Sequence, residues 1–266
     1  MEINKFYIAG KFITPDGKEL IDLINPATEE KVGHVVSGSE KDVNEAVSAA
    51  KHAFRDASLL TLDQKKTILQ EIIDGMDERR EEFAQVISEE MGSPIKVARG
   101  AHFSSGKVHF VNTLKVIDDF SFSEIHDNIT LNKLPIGPVG MITPWNWPLN
   151  QMCTKIASAI AAGTSFVLKP SEITPGAAQL FAEVADKSSM PKGMFNLIHG
   201  YGATVGKAMS QHNDLEMISF TGSTRAGIDI QKTAADTIKR VSLELGGKSP
   251  NIILDDVDLE KAVNMG

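Results

Sequence analysis

A chain of 266 residues, 42% hydrophobic and 23% charged, has the make-up of a globular protein of one large domain or two ordinary ones. Its formal net charge of −8 excludes the non-specific binding to nucleic acid or anionic membranes that basic patches support. The lone Cys153 rules out an intramolecular disulfide or a cysteine-based metal cluster. With no signal-like amino terminus and no stretch of membrane-span length, a cytoplasmic setting is expected.

In chain order, Tyr7-Ile8-Ala9-Gly10-Lys11-Phe12-Ile13 predicts a small hairpin turning at Gly10. Three helical stretches follow. The first, near 39–55, opens on a serine cap and carries Val43, Ala46, Val47, Ala50 and Phe54 at helical spacing. The second runs from about 61 to 91 with a pause expected at Gly75, and the third from about 95 to 120. From 121 to 134 the chain turns polar and β-prone, with Ile125, Ile129 and Leu131, as suits a projecting hairpin. From Pro138 onward, apolar runs at 139–142, 165–168, 195–198, 217–220 and 241–245 alternate with helical segments near 148–162, 176–187, 203–210 and 224–235. That rhythm predicts an α/β fold, a parallel sheet with helices on both faces. Ligands bind such sheets at the carboxyl ends of the strands, where the candidate motifs fall.

Thr143-Pro144-Trp145-Asn146-Trp147-Pro148 follows the first of these strands, and Pro148 suits a first helical position. The Asn146 amide can donate to a developing oxyanion or, alternatively, cap the helix. Lys169-Pro170-Ser171-Glu172 ends the next strand. Its ammonium donors and carboxylate acceptor suit the vicinal hydroxyls of a ribose, or else form a plain surface ion pair. Phe220-Thr221-Gly222-Ser223-Thr224-Arg225-Ala226-Gly227 joins a strand end to a helix start. Gly222 permits close approach, and Ser223 with the first helical N–H groups can receive a pyrophosphate. The spacing is Gly-x-x-x-x-Gly rather than Gly-x-Gly-x-x-Gly, so an ordinary strand-to-helix turn reads equally well. Glu244, in Leu243-Glu244-Leu245-Gly246-Gly247-Lys248, is a candidate general base, or a structural glutamate pairing with Lys248. Cys153 falls on the apolar stripe of its helix with Leu149, Ile156 and Ile160, as a packing residue does. The seven histidines show no metal-ligand spacing, so no metal is assigned.

Taken together, these four motifs resemble the aldehyde dehydrogenase superfamily, as do Asn25-Pro26-Ala27-Thr28 and Leu254-Asp255-Asp256-Val257-Asp258. The resemblance runs from about Tyr7 to the last residue. It implies a Rossmann-like sheet preceded by a helical segment and a projecting hairpin. It further implies a discontinuous NAD-binding domain at 1–119 and 136–246, an oligomerisation hairpin at 120–135 serving a dimer or tetramer, and a stub of catalytic domain at 247–266.

Position by position, Asn146 resembles the side-chain half of an oxyanion hole, and Glu244 the base that activates a cysteine or the deacylating water. Lys169 and Glu172 resemble the adenosine-ribose clamp, with Ser171 a further cofactor contact. Ser223 resembles the pyrophosphate contact, Gly202 and Gly206 the small residues beside adenine, and Ile142, Thr143, Trp145, Phe220, Gly222, Leu245 and Gly246 further cofactor contacts. The implied reaction is oxidation of an aldehyde to a carboxylic acid with NAD. Glu172 disfavours a 2′-phosphate, though NADP stays open should Glu172 swing away.

The family's nucleophilic cysteine is expected downstream of Gly266, so the chain reads as a truncated, cofactor-binding part, inactive alone. Two other readings compete: a thiol from Cys153 or a partner chain, and a non-catalytic nucleotide-binding or interaction module that co-assembles with full-length subunits. Trp147, Asn150, Gln151 and Thr154 recur at about one helical turn and resemble positions at the family's aldehyde entrance, which predicts a polar or wide aldehyde.

Overall fold

The structure, a computed structural model, describes residues 1–265. Strands β1 (Glu2–Ile3), β2 (Phe6–Ile8), β3 (Lys11–Ile13), β4 (Glu19–Ile24) and β5 (Lys31–Ser37) come first. β2 and β3 form the expected hairpin, with Ala9 and Gly10 at φ of 53° and 75° in its turn. β1, β5 and β4 make a separate three-stranded sheet absent from the sequence-based expectation. Its buried cluster is small, made of Ile3, Ile21, Leu23 and Val35, so its apolar signal is thin.

Ser39 caps α1 (Glu40–Ser58) as expected: its hydroxyl accepts from the Asp42 N–H, and the Asp42 carboxylate accepts from the Ser39 N–H. Thr61 and Gln64 repeat this device at the start of α2 (Leu62–Glu78). The pause expected at Gly75 falls instead at Arg79, ahead of α3 (Arg80–Met91). Gly75 remains helical and serves close packing, since a Cβ there would lie 2.7 Å from Val184 Cγ1. α4 (Ile95–Val97), a π turn (Ala98–His102) and α5 (Phe103–Val116) form one helical run that stops short of the expected residue 120. β6 (Ser123–His126) and β7 (Ile129–Asn132) are the projecting hairpin, with Ile125 and Ile129 exposed.

The alternating part comprises β8 (Val139–Ile142), α6 (Pro148–Ala162), β9 (Phe166–Lys169), α7 (Gly176–Asp186) and β10 (Phe195–Leu197). A second π turn (Gly202–Gly206) then leads into α8 (Lys207–Gln211), followed by β11 (Met217–Gly222), α9 (Thr224–Ala235), β12 (Arg240–Leu245) and α10 (Leu259–Met265). The sheet order is β12-β11-β8-β9-β10-β2-β3, parallel through β10 and extended antiparallel by the amino-terminal hairpin. Both faces are covered. Along β9, Phe166 and Leu168 enter one core cluster with Ile72, Phe83 and Phe181, while Val167 enters the other with Val43, Val47 and Ile218.

Strand order reverses at β8: β9 and β10 extend to one side, β11 and β12 to the other. Crevices form where such a reversal splays the crossover connections apart. Registers Ile142↔Lys169, Ile142↔Phe220 and Phe220↔Leu243 bring the carboxyl ends of four strands level at that point. Among the described residues no helix is long and apolar enough to cross a membrane.

Candidate cofactor and active site

A cleft of about 1170 Å³ opens at this strand reversal. It is lined by Ile142, Thr143, Trp145 and Asn146 after β8, by Lys169, Ser171 and Glu172 after β9, by Gly202, by Phe220, Gly222 and Ser223 at the end of β11, and by Glu244, Leu245 and Gly246 at the end of β12. Of the sequence-derived candidates only Gly206 stands off this wall: it is buried behind the cleft, where a Cβ would meet Ile142 Cδ1 at 3.6 Å.

Lys169 is 2% exposed, and its ammonium lies 2.8 Å from Glu172 Oε2. Burial pulls its pKa down, and the Glu172 charge and hydrogen bond oppose that shift. The plain surface ion pair is thereby set aside, because this ammonium is nearly dry. Behind it His199 is fully buried and neutral, its pKa pushed down to about 3 by burial and then by the Lys169 charge. The Ser171 hydroxyl accepts from the Ile173 N–H, which shapes the turn between Lys169 and Glu172.

At the end of β11, Gly222 is required by packing: a Cβ there would lie 2.5 Å from the Phe220 ring. Ser223 then caps α9 by accepting from the Ala226 N–H. Gly227, one turn on, lets α9 lie against Leu245 at the end of β12, where a Cβ would meet Leu245 Cδ2 at 2.6 Å. The Gly-x-x-x-x-Gly spacing thus serves two contacts, one at the turn and one between helix and strand.

Asn146 and Glu244 stand differently. The residue at the cap position of α6 is Trp147, and no side chain caps that helix, so the capping role considered for Asn146 is not used. Glu244 is exposed, level with Thr221 on β11, and among the described residues its carboxylate pairs with neither Lys248 nor a backbone N–H. Cys153 is completely buried and its thiol is pushed up by that burial, which removes it as a nucleophile. The entrance residues divide. Gln151 and Thr154 line the cleft, whereas Trp147 stacks on His102 and the Asn150 amide oxygen bonds His109 Nε2 at 2.7 Å.

The residue that sequence reasoning missed is Lys155. Its ammonium donates to Ser219 Oγ at 2.8 Å, and its pKa is lowered to about 8 by burial, with Glu244 opposing. A signal was present: Gln151, Thr154, Lys155, Ser158 and Ala162 form a polar-to-small stripe at helical spacing, and all five line the cleft.

The family model for the aldehyde dehydrogenase family matches residues 12–266. The chain belongs to the aldehyde dehydrogenase family. It is 44% identical, over its whole length, to a 3-succinoylsemialdehyde-pyridine dehydrogenase from a Pseudomonas species, of which it covers 56%. An aldehyde dehydrogenase crystal structure from Bartonella henselae superposes with a TM-score of 0.96 at 44% identity, covering 100% of this chain and 56% of that one. Aldehyde dehydrogenase C from Pseudomonas syringae, crystallised as a mutant with NAD+ and octanal, does so at 0.96 and 45% identity, covering 98% and 54%. The chain therefore spans a little over half the length of the relatives it matches, and the aldehyde dehydrogenase-like α/β fold expected from the sequence is the one found.

Proposed function

We propose that this chain forms the dinucleotide-binding part of an NAD-dependent aldehyde dehydrogenase, oxidising an aldehyde to a carboxylic acid. The observation that carries this reading is the Lys169–Glu172 pair at the strand reversal, with the ammonium buried and the carboxylate half-buried at the cleft wall. Lys169 keeps N–H donors beyond the one Glu172 uses, and Glu172 keeps an acceptor oxygen, so together they match two vicinal ribose hydroxyls. A second carboxylate oxygen beside the 2′ position repels a phosphate, which favours NAD over NADP. The remaining walls fit the same group. A Cβ on Gly202 would meet nothing within 4 Å, leaving a flat floor for adenine, and the amino terminus of α9 with Ser223 offers N–H donors to a pyrophosphate.

When bound, NAD supplies the hydride acceptor for the oxidation. Asn146, spared from capping, is free to donate its amide N–H to an aldehyde oxygen as negative charge grows there. Glu244, solvent-facing and unpaired among the described residues, is free to take a proton from a thiol or a water. The attacking sulfur is not that of Cys153, which lies in the core.

The aldehyde is proposed to be polar or wide, because Gln151 and Thr154 face the cleft. The hairpin β6–β7, with Ile125, Ile129 and Leu131 exposed, is proposed as the arm of a homo-oligomer, and a cytoplasmic setting accords with the single cysteine. Isothermal titration tests the central point. NAD is expected to bind in the micromolar range or weaker, and NADP more weakly still. Failure of NAD to bind overturns the reading, and nanomolar affinity contradicts the expectation that the nicotinamide-side contacts lie outside this chain.

A further inference from the structure

Two lysines line the cleft among the described residues, Lys155 and Lys169, and their partners differ in kind. Glu172 accepts only, so its ion pair with Lys169 holds only while the amine is protonated. Lys155, half-buried on α6, donates instead to the neutral Ser219 Oγ at 2.8 Å. A hydroxyl oxygen also accepts from a neutral amine, so that bond survives loss of the proton and leaves the nitrogen lone pair unengaged. Burial favours the neutral state, and Glu244 is the charge that opposes it. Lys65 and Lys239 are also made less basic by burial, but neither lines the cleft.

The sheet and the helix fix where this amine stands. Ser219 and Thr221 share one face of β11, in register with Ser242 and Glu244 on β12, and all four line the cleft. Ser219 therefore anchors the amine roughly 7 Å in from the level of Glu244, two residues along the strand. On α6, Gln151 and Lys155 are i and i+4, so the amine lies one helical turn inward from the Gln151 side chain on the same wall. An aldehyde that passes Gln151 and Thr154 meets the Lys155 nitrogen on one side and the Glu244 carboxylate on the other.

We propose that Lys155 is a nucleophilic amine that captures aldehydes in this cleft as a reversible imine, a covalent activity separate from the cofactor-dependent oxidation. It takes from the reading of the cleft one point only, that aldehydes enter it. The nitrogen lone pair attacks the carbonyl carbon, forming a C–N bond while the π pair of the carbonyl moves to oxygen. Two protons pass from nitrogen to that oxygen, the C–O bond breaks, and one water leaves as the C=N bond closes. Nothing is oxidised or reduced. Glu244, whose charge reaches the amine, is placed to carry the protons from nitrogen to oxygen. Desolvation is a general way to make a lysine nucleophilic towards carbonyl carbon.

The test treats the whole chain with benzaldehyde or hexanal and sodium cyanoborohydride, which reduces an imine to a stable secondary amine, and locates the modified lysines by peptide mass spectrometry. At pH 7 Lys155 is expected to be modified at least about tenfold faster than the exposed lysines, because far more of it is neutral. Its rate is expected to climb with pH and level off near pH 8, where the exposed lysines are still climbing. Lys155→Met and Lys155→Arg are expected to lose this modification and keep the others. Mapping in the parent chain decides the matter by itself if either variant fails to fold. Calorimetric titration of NAD into the same sample separates the two readings. Where NAD binds, Lys155 modified no faster than the exposed lysines, or at a rate still rising at about pH 10, overturns this inference alone. Preferential modification of Lys155 without NAD binding upholds the inference and overturns the cofactor reading. Absence of both overturns both.

Discussion

The two ends of the cleft are built on opposite principles. At the β9 end the groups are held in place in advance: Lys169 is dry and paired with Glu172, Ser171 is bonded to its own turn, and Gly202 leaves a floor clear. At the other end Asn146 caps nothing, and Glu244 stands in solvent with no partner among the described residues. Groups held in advance bind well, because the cost of ordering them is met during folding. Groups left unpaired keep their donors and protons for a reacting partner. On the proposed reading the first end binds the cofactor and the second keeps its groups free for the reaction. Lys155 lies between the two kinds: bonded to Ser219, yet buried beside a single opposing charge.

Lys155 gives the largest expected effect. Its pKa in the folded chain is lowered from 10.5 to about 8, so between those values the unfolded chain binds more protons and stability rises with pH. Allowing for solvent screening, the rise is about 2–3 kcal/mol, and in Lys155→Met it should vanish from denaturant melts taken between pH 8 and 10.5. An unchanged slope would mean that this ammonium is better solvated than its surroundings suggest. Next comes the β9 end: Lys169→Ala should weaken NAD about 10–100-fold by calorimetry, the loss of charge-assisted bonds to the ribose. Glu172→Gln should narrow the gap between NAD and NADP by roughly three- to tenfold, since the repulsion of a 2′-phosphate is removed. The smallest effects belong to the free end. Asn146→Ala and Glu244→Gln should leave the NAD Kd within about twofold and the melting temperature within about 2 °C. A large loss of cofactor affinity in either would erase the distinction between the two ends.

Much of this was legible in the sequence because the signals are local. The helix bounds at 148–162 and 224–235 coincide with α6 and α9, where Pro148 sets one start and Ser223 the other. The four motifs converge because parallel strands bring their ends level, which the alternation alone implies. What escaped depends on neighbours distant in sequence. Gly75 is helical because Val184 lies against it, and the break moves to Arg79, whose guanidinium bridges Glu82 and Glu183. The sheet of β1, β5 and β4 escaped because its buried residues are few and its strands carry many charges. Gly206 has the right residue type at a position one helical turn from the wall, on the side facing Ile142. Lys155 escaped because the apolar stripe around Cys153 dominates the sequence of α6, while the polar stripe gains meaning only where β11 brings Ser219 against it.

The β9 end alone is predicted to supply most of the cofactor affinity. The most direct measurement is a calorimetric comparison of the two halves of the dinucleotide, ADP-ribose and nicotinamide mononucleotide, on the unmodified chain. ADP-ribose is predicted to bind nearly as well as NAD, and the mononucleotide at least about tenfold more weakly. Equal affinities for the two halves, or tighter binding of the mononucleotide, would contradict the account.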